Sequence, residues 1–338
     1  MAFLRKMRYN KSNALYKEKY MEYFLLIVTL LFLATKGYCG KKTSTDIKKP
    51  TDPFLFNLIR MLFCLGIGFV LILIEAVSSQ LAVPPLFVWI TVGAGAANVA
   101  FLVGWILAVQ RTPMVTMDVA LTIGSILPAV LCLILFDEAI SVPKLGGFAL
   151  ILVATAILSG YGKSTGKRAG VTGVLLVITA SLGEGFSSFC QQLYKHYYTV
   201  DGSRAHGVYY ENAIFQFYTY VFTAAFLALF FIGASIWNYR KQTEQERTGY
   251  VRGLFSSCVR PLPYIAVMAG CLFAANYMQT AITTTYGMSS QVLYPVIKGG
   301  SLVLVNITAM LFFGERPTWR SITGSAFALG GAVLMSVL

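Results

Sequence analysis

Two residues of opposite charge sit deep inside apolar sequence. Glu184 falls near the middle of a hydrophobic run beginning at residue 170, and Lys298 near the middle of one beginning at residue 287. A charged side chain at the centre of a bilayer costs about 2.5–3.5 kcal/mol or more, so such a residue is a functional candidate by default. Glu184 is flanked by Gly183 and Gly185, which give a partner helix or a substrate close access. A carboxyl there is suited to binding and releasing a proton, or it is an acid satisfied by a neighbouring helix or by Lys298. Lys298 stands between Tyr294-Pro295 and Gly299-Gly300, where the chain favours a loosened helix with accessible carbonyls. Its ammonium could neutralise a substrate carboxylate or phosphate, or serve as a fixed counter-ion for Glu184. Arg60 and Lys36 lie nearer the ends of their apolar runs. Each could hold an anionic group or snorkel to the interface.

Uncharged polar residues accompany them. Asn276, Gln279 and Tyr294, with Asn98, Trp105, Tyr277, Gln291 and Asn306, are expected to line a cavity or to bond helix to helix, each such bond being worth about 0.6 kcal/mol. Glu75, at the far end of its run, is expected at the interface. No nucleophile–base constellation, Walker loop or G-x-G-x-x-G is present, so neither an enzyme nor an ATP-driven pump is expected. The six cysteines form no C-x-x-C pair, and the two histidines, His196 and His206, have no metal-ligand spacing. No metal, cofactor or disulfide framework is therefore expected. The sequon at Asn306 lies inside an apolar run and should be silent.

The elements that must position these groups are membrane helices. The 338-residue chain is 57% hydrophobic and 12% charged, about half the charge of a soluble domain, and its mean hydropathy is +0.67. Ten apolar spans are expected, at roughly 21–38, 54–75, 86–109, 114–136, 143–161, 170–193, 208–236, 262–283, 287–313 and 318–338. The net charge of +13 fits cytoplasmic loops and anionic lipid headgroups, not nucleic acid. Residues 1–20 form a basic tail resembling a signal peptide, but lysines and no small-residue site follow its apolar run, so it is expected to remain. Ten spans place nine Lys/Arg on the side of the N-terminus and sixteen on the other, which favours an outside N-terminus.

A duplication organises the chain. Glu138 and Glu315 are 177 residues apart, as are Gly147 and Gly324. The spans divide into 21–161 and 170–338 around a polar link at 162–169. Five spans per copy would make the second copy inverted. Glu138 and Glu315 close their spans and are expected to cap the following helix. The tyrosines of 194–210 are expected in an interfacial aromatic belt. Small residues such as Gly66, Gly68 and Gly93–Ala97, and Gly324, Ala328, Gly330 and Gly331 on the last span, allow close helix approach. Packing within one chain is one reading of them, and a homodimer seam on the last span is the other.

On these residues the chain resembles the drug/metabolite transporter superfamily, and within it the ten-helix EamA-type permeases. Asp52-Pro53-Phe54 with Arg60, Lys36, Gln110-Arg111-Thr112, Thr280–Thr283 and Pro128 carry the likeness along nearly the whole chain. The last two spans, with Lys298-Gly299-Gly300-Ser301 and Phe312-Phe313-Gly314-Glu315-Arg316, resemble the small multidrug resistance branch, and Glu184 stands where that branch has a proton- and cation-binding glutamate. That branch's Trp one turn after the tyrosine is replaced by Ile297 and Lys298.

The reading is an all-α integral membrane protein of about ten transmembrane helices in two inverted five-helix repeats, in the plasma membrane. It would move a small polar metabolite, amino-acid-like in character, by alternating access coupled to a gradient. Its binding residues would be Glu184, Lys298, Tyr294, Asn276, Gln279 and Arg60, with protons bound at Glu184. Rival readings are a proton-coupled exporter of cationic drugs, a nucleotide-sugar exchanger and a membrane scaffold that transports nothing.

Overall fold

The computed structural model describes residues 2–49, 51–75, 81–111, 121, 124, 126–136, 142–159, 171–198, 210–240, 259–286, 288, 290–314 and 318–337. Among these residues there is no strand. The described helices are α1 (Ala2–Ser44), α2 (Asp52–Ile74), α3 (Pro85–Arg111), α4 (Ile126–Phe136), α5 (Val142–Ser159), α6 (Val171–Tyr198), α7 (Asn212–Arg240), α8 (Leu262–Thr284), α9 (Ser290–Phe313) and α10 (Trp319–Val337). Seven are long and apolar enough to cross a bilayer: α1 over Met21–Ser44, α2, α3, α6, α7, α8, and α9 over Val292–Phe312. The protein is an all-α, multi-pass integral membrane protein. Large apolar side chains such as Phe24, Ile27, Leu62, Phe69, Leu229 and Leu311 are exposed on its outer surface, where lipid would cover them. The expected caps Glu138 and Glu315 and the link 162–169 lie outside the described residues.

Local sequence sets the helix ends. Pro53 opens α2, where its missing N–H is no loss. The Asp52 carboxylate accepts the Lys48 and Lys49 amides at 3.0 and 2.8 Å, which fixes the turn between α1 and α2. Contrary to expectation, α1 runs past residue 38 to Ser44. Its last lysines are accommodated: Lys41 donates to the Val109 carbonyl at 3.3 Å, and Lys42 lies over the Tyr264 ring at 5.2 Å. α9 runs unbroken through Pro295 and Gly299-Gly300, although Pro295 has no N–H to donate to the carbonyl four residues before it.

The most extensively packed helix pairs are α3 with α6, α5 with α10, α1 with α8, and α2 with α7. The α3–α6 pair is antiparallel and very tight at Gly183, where a Cβ would lie 2.5 Å from the Phe101 nitrogen and 2.6 Å from the Ala97 oxygen. Only hydrogen fits there. In α10, a Cβ on Gly331 would lie 2.6 Å from the Gly147 carbonyl of α5. This part of the small-residue stripe is therefore used within the chain, whereas Gly330 and Gly66 have nothing within 4 Å.

A second core lies at the end of the bundle where α6 finishes and α7 begins. Phe87 is ringed there by Tyr194, Tyr198, Tyr210, Phe215 and Tyr218, with centroids 5.1–6.3 Å away. Tyr194, Tyr198 and Tyr210 are buried, at 1%, 6% and 8% exposure, and do not form the interfacial belt expected of them. Packing against Phe87 removes their rings from the surface. The Tyr194 hydroxyl finds partners inside, the Tyr210 carbonyl at 2.7 Å and the Asn212 amide oxygen at 3.1 Å.

Candidate functional site: a charged cavity at mid-bundle

Five helices meet around one small cavity. α1 contributes Leu33 and Lys36, α3 Asn98 and Phe101, and α6 Glu184, Ser187, Ser188 and Gln191. α8 adds Leu272, Asn276 and Gln279, and α9 adds Tyr294, Ile297 and Lys298. The α6 residues are spaced by three, four and seven from Glu184, so they form a single stripe of a 3.6-residue helix. The cavity measures about 40 Å³. At about 10–15 Å³ per water, that is room for roughly three waters, not for a metabolite.

Glu184 and Lys298 form an ion pair across the cavity between Glu184 Oε1 and Lys298 Nζ. Of the two sequence readings of Lys298, the counter-ion role is therefore present in this conformation. Glu184 Oε2 is buried and has no hydrogen-bond partner, so the carboxylate retains an unused acceptor at the cavity. Lys36 is only 8% exposed and its ammonium lies 5.2 Å from the centre of the Phe101 ring, a cation–π contact. The cavity thus faces two ammonium groups and one carboxylate.

Hydrogen bonds fix the surrounding polar groups. The Tyr294 hydroxyl accepts from Gln192 Nε2 at 3.0 Å and is within donating reach of Gln191 Oε1 at 3.0 Å and the Ser188 carbonyl at 3.2 Å. Ser187 Oγ donates to Asn98 Oδ1 at 3.0 Å. Asn276 Nδ2 donates to the Tyr220 hydroxyl at 2.9 Å. These bonds join α6 to α9, α6 to α3 and α8 to α7, so a shift of any one helix disturbs the cavity wall.

The cavity brings together Glu184, Lys298, Tyr294, Asn276, Gln279 and Asn98 as expected. Arg60 is not among them. It is 2% exposed and sits in the α2–α7–α8 core near Cys64 and Tyr220, with Nε and Nη1 lacking hydrogen-bond partners. It neither lines the cavity nor snorkels, because α2 turns that face toward α7 and α8. Trp105 is also core, packed against Gly40. Glu75 closes α2 half-buried and accepts a hydrogen bond from the Tyr277 hydroxyl at 2.6 Å, which ties the end of α2 to α8. The side chains of Gln291 and Asn306 lie outside the described residues. Ser187, Ser188 and Gln191 were missed, although their spacing from Glu184 could have revealed them. Among the described residues no cluster of three or more His, Cys, Asp or Glu could hold a metal ion.

No family model and no curated protein matches the chain. Solved structures do: 28 chains match. One of them, described only as a crystal structure of a protein, superposes with a TM-score of 0.63 at 14% identity, over 94% of this chain and 97% of that one. At that identity the likeness is one of fold alone.

Proposed function

We propose that the chain is a secondary transporter of a small anionic or zwitterionic metabolite, working by alternating access around the Glu184–Lys298 cavity. The observation that carries this reading is the cavity itself: a half-buried ion pair, a second lysine and four side-chain amides, assembled from five helices in the middle of a membrane bundle. An ion pair retained at that depth is costly and points to use.

The packing pattern supports a duplicated, inverted architecture of ten spans. Exchanging each helix for the one five places along maps α3–α6 onto α8–α1, α3–α7 onto α8–α2, and α1–α9 onto α6–α4, and all of these pairs are in contact. α1 and α9 run parallel, as Leu30 beside Gly300 and Tyr38 beside Phe312 indicate. α6 and α4 also run parallel, as Ser181 beside Gly124 and His196 beside Phe136 indicate. The resemblance to drug/metabolite transporters and a place in the plasma membrane belong to the same proposal.

Chemistry narrows the solute. Lys36 and Lys298 both face the cavity, and two fixed ammoniums disfavour a plain cation. A solute carboxylate could take Lys298 from Glu184, and the freed carboxylate would then bind a proton or the solute's ammonium. The test is uptake of labelled amino acids and organic acids into proteoliposomes at several pH values. Saturable uptake is expected, with a pH dependence that disappears in Glu184→Gln. Failure of every anionic and zwitterionic solute to cross, or a pH dependence unchanged in that variant, would remove the basis of the proposal.

A further inference from the structure

The cavity is bounded differently on its two sides. Toward the end of the bundle where α3 finishes, the wall closes within one helical turn. The steps from Lys36 to Gly40 on α1, from Phe101 to Trp105 on α3 and from Leu272 back to Met268 on α8 are each four residues. A Cβ on Gly40 would collide with the Trp105 ring and lie 3.2 Å from the Met268 methyl. Trp105 and Met268 are both buried, so this side is sealed by close apolar packing.

The other side carries a polar ladder. Asn212, Gln216 and Tyr220 recur at four-residue intervals on α7 and so share one face. Asn276, Thr280 and Thr284 do the same on α8, which runs antiparallel to α7. Asn212 Nδ2 donates to Thr284 Oγ1 at 3.1 Å, Gln216 Nε2 to Thr280 Oγ1 at 3.0 Å, and Asn276 Nδ2 to the Tyr220 hydroxyl at 2.9 Å. The ladder covers 212–220 and 276–284, about 12 Å at 1.5 Å per residue. Its outer rung joins the first residue of α7 to the last of α8. Its inner rung ends on Asn276, which lines the cavity. Beyond that rung the seam turns apolar, with the Tyr220 ring 5.7 Å from Phe273. Gln216, Tyr220 and Thr280 are 1% exposed or less, so the ladder is shut in this conformation.

α7 and α8 pack far less extensively than α3 and α6, and these bonds carry much of what holds them together. Such bonds are exchangeable. As the seam parts, water replaces each one, so the net cost of breaking it is small. Parting the Trp105 side would expose apolar surface instead, for which water offers no replacement. Of the two sides, the ladder opens more readily.

We infer that the α7–α8 ladder is a seam that parts to admit water and solute to the cavity from the end of the bundle where α7 begins and α8 ends. The solute path rests on the transport reading, and the parting of the seam does not. An entering solute meets amide and hydroxyl groups at every rung and then Asn276 and Gln279 at the cavity wall. Those groups suit a solute bearing carboxylate or hydroxyl groups that has shed part of its hydration shell.

Two measurements test it, both on the full chain freed of its native cysteines. In detergent, where both ends of the bundle meet water, Thr280→Cys is compared with Ile265→Cys. The two positions lie four and three residues from the ends of α8 and are 1% and 2% exposed. Thr280→Cys should react severalfold faster with a hydrophilic maleimide, and Gln216→Cys on the facing helix should share the advantage. Rates no faster than that of Ile265→Cys overturn the seam. In proteoliposomes, joining Gln216→Cys to Thr280→Cys with a short bifunctional thiosulfonate should abolish uptake, and a reductant should restore it. Undiminished uptake by the cross-linked protein overturns the route. Uptake of no solute before cross-linking counts against transport itself, and the maleimide rates then decide the seam alone.

Discussion

Glu184 uses one oxygen on Lys298 and leaves the other without a partner, so the pair is stable yet open to competition. Removing one member of a buried pair strands the other, typically at a cost of about 3–5 kcal/mol. Here the side chains remain 12% and 15% exposed, which puts the expectation for Glu184→Gln near the lower figure, about 3 kcal/mol. Adding Lys298→Met to that variant should recover part of the loss, because no uncompensated charge remains. Thermal unfolding of the two purified variants checks this. A double variant less stable than the single would mean that the pair contributes nothing as a pair. Lys36 shows how a residue's role depends on where its helix ends. Read as the end of a short span it is interfacial. Because α1 continues to Ser44, eight residues further, Lys36 lies about 12 Å inside that end, at 1.5 Å per residue.

At the scale of elements, the cavity depends on how closely α3 and α6 approach. That approach is set at Gly183, whose missing side chain lets the α3 backbone touch α6. Gly183→Ala is expected to push the helices apart and cost about 1–3 kcal/mol, as overpacking in a close-packed core does. Gly270→Ala in α8 is the matched control, since a Cβ there meets nothing within 4 Å, and it should leave the melting temperature nearly unchanged. Comparing the two melting curves tests whether helix approach, and not helix propensity, is what glycine supplies. The two glycines are equally plain in the sequence, and only the neighbouring helix distinguishes them. The same applies to the tyrosines after residue 194: composition suggests an interface, and packing on Phe87 puts three of them inside.

The cavity among the described residues measures about 40 Å³, too little for a metabolite, so the proposed transport cycle requires the helices to enlarge it. Ser187, on the cavity wall, reports on that opening. In a chain stripped of its native cysteines, Ser187→Cys should react slowly with a membrane-impermeant thiol reagent. A transported solute should change the rate severalfold, as expected when a ligand shifts a population between states. A rate indifferent to every solute that crosses would argue against alternating access through this cavity.

A helical membrane protein, the places of most of its helices, and the depth of Glu184 and Lys298 where charge is costly were all legible from the order of residues. Hydrophobicity and length encode those properties locally, residue by residue. The tertiary structure alone decided direction around each helix axis: that Glu184 faces Lys298, that Lys36 turns into the same cavity, and that Arg60, also buried, turns away from it toward Tyr220. Depth is a property of one helix and its solvent, whereas facing is a property of two helices packed together, and no single span records its neighbour.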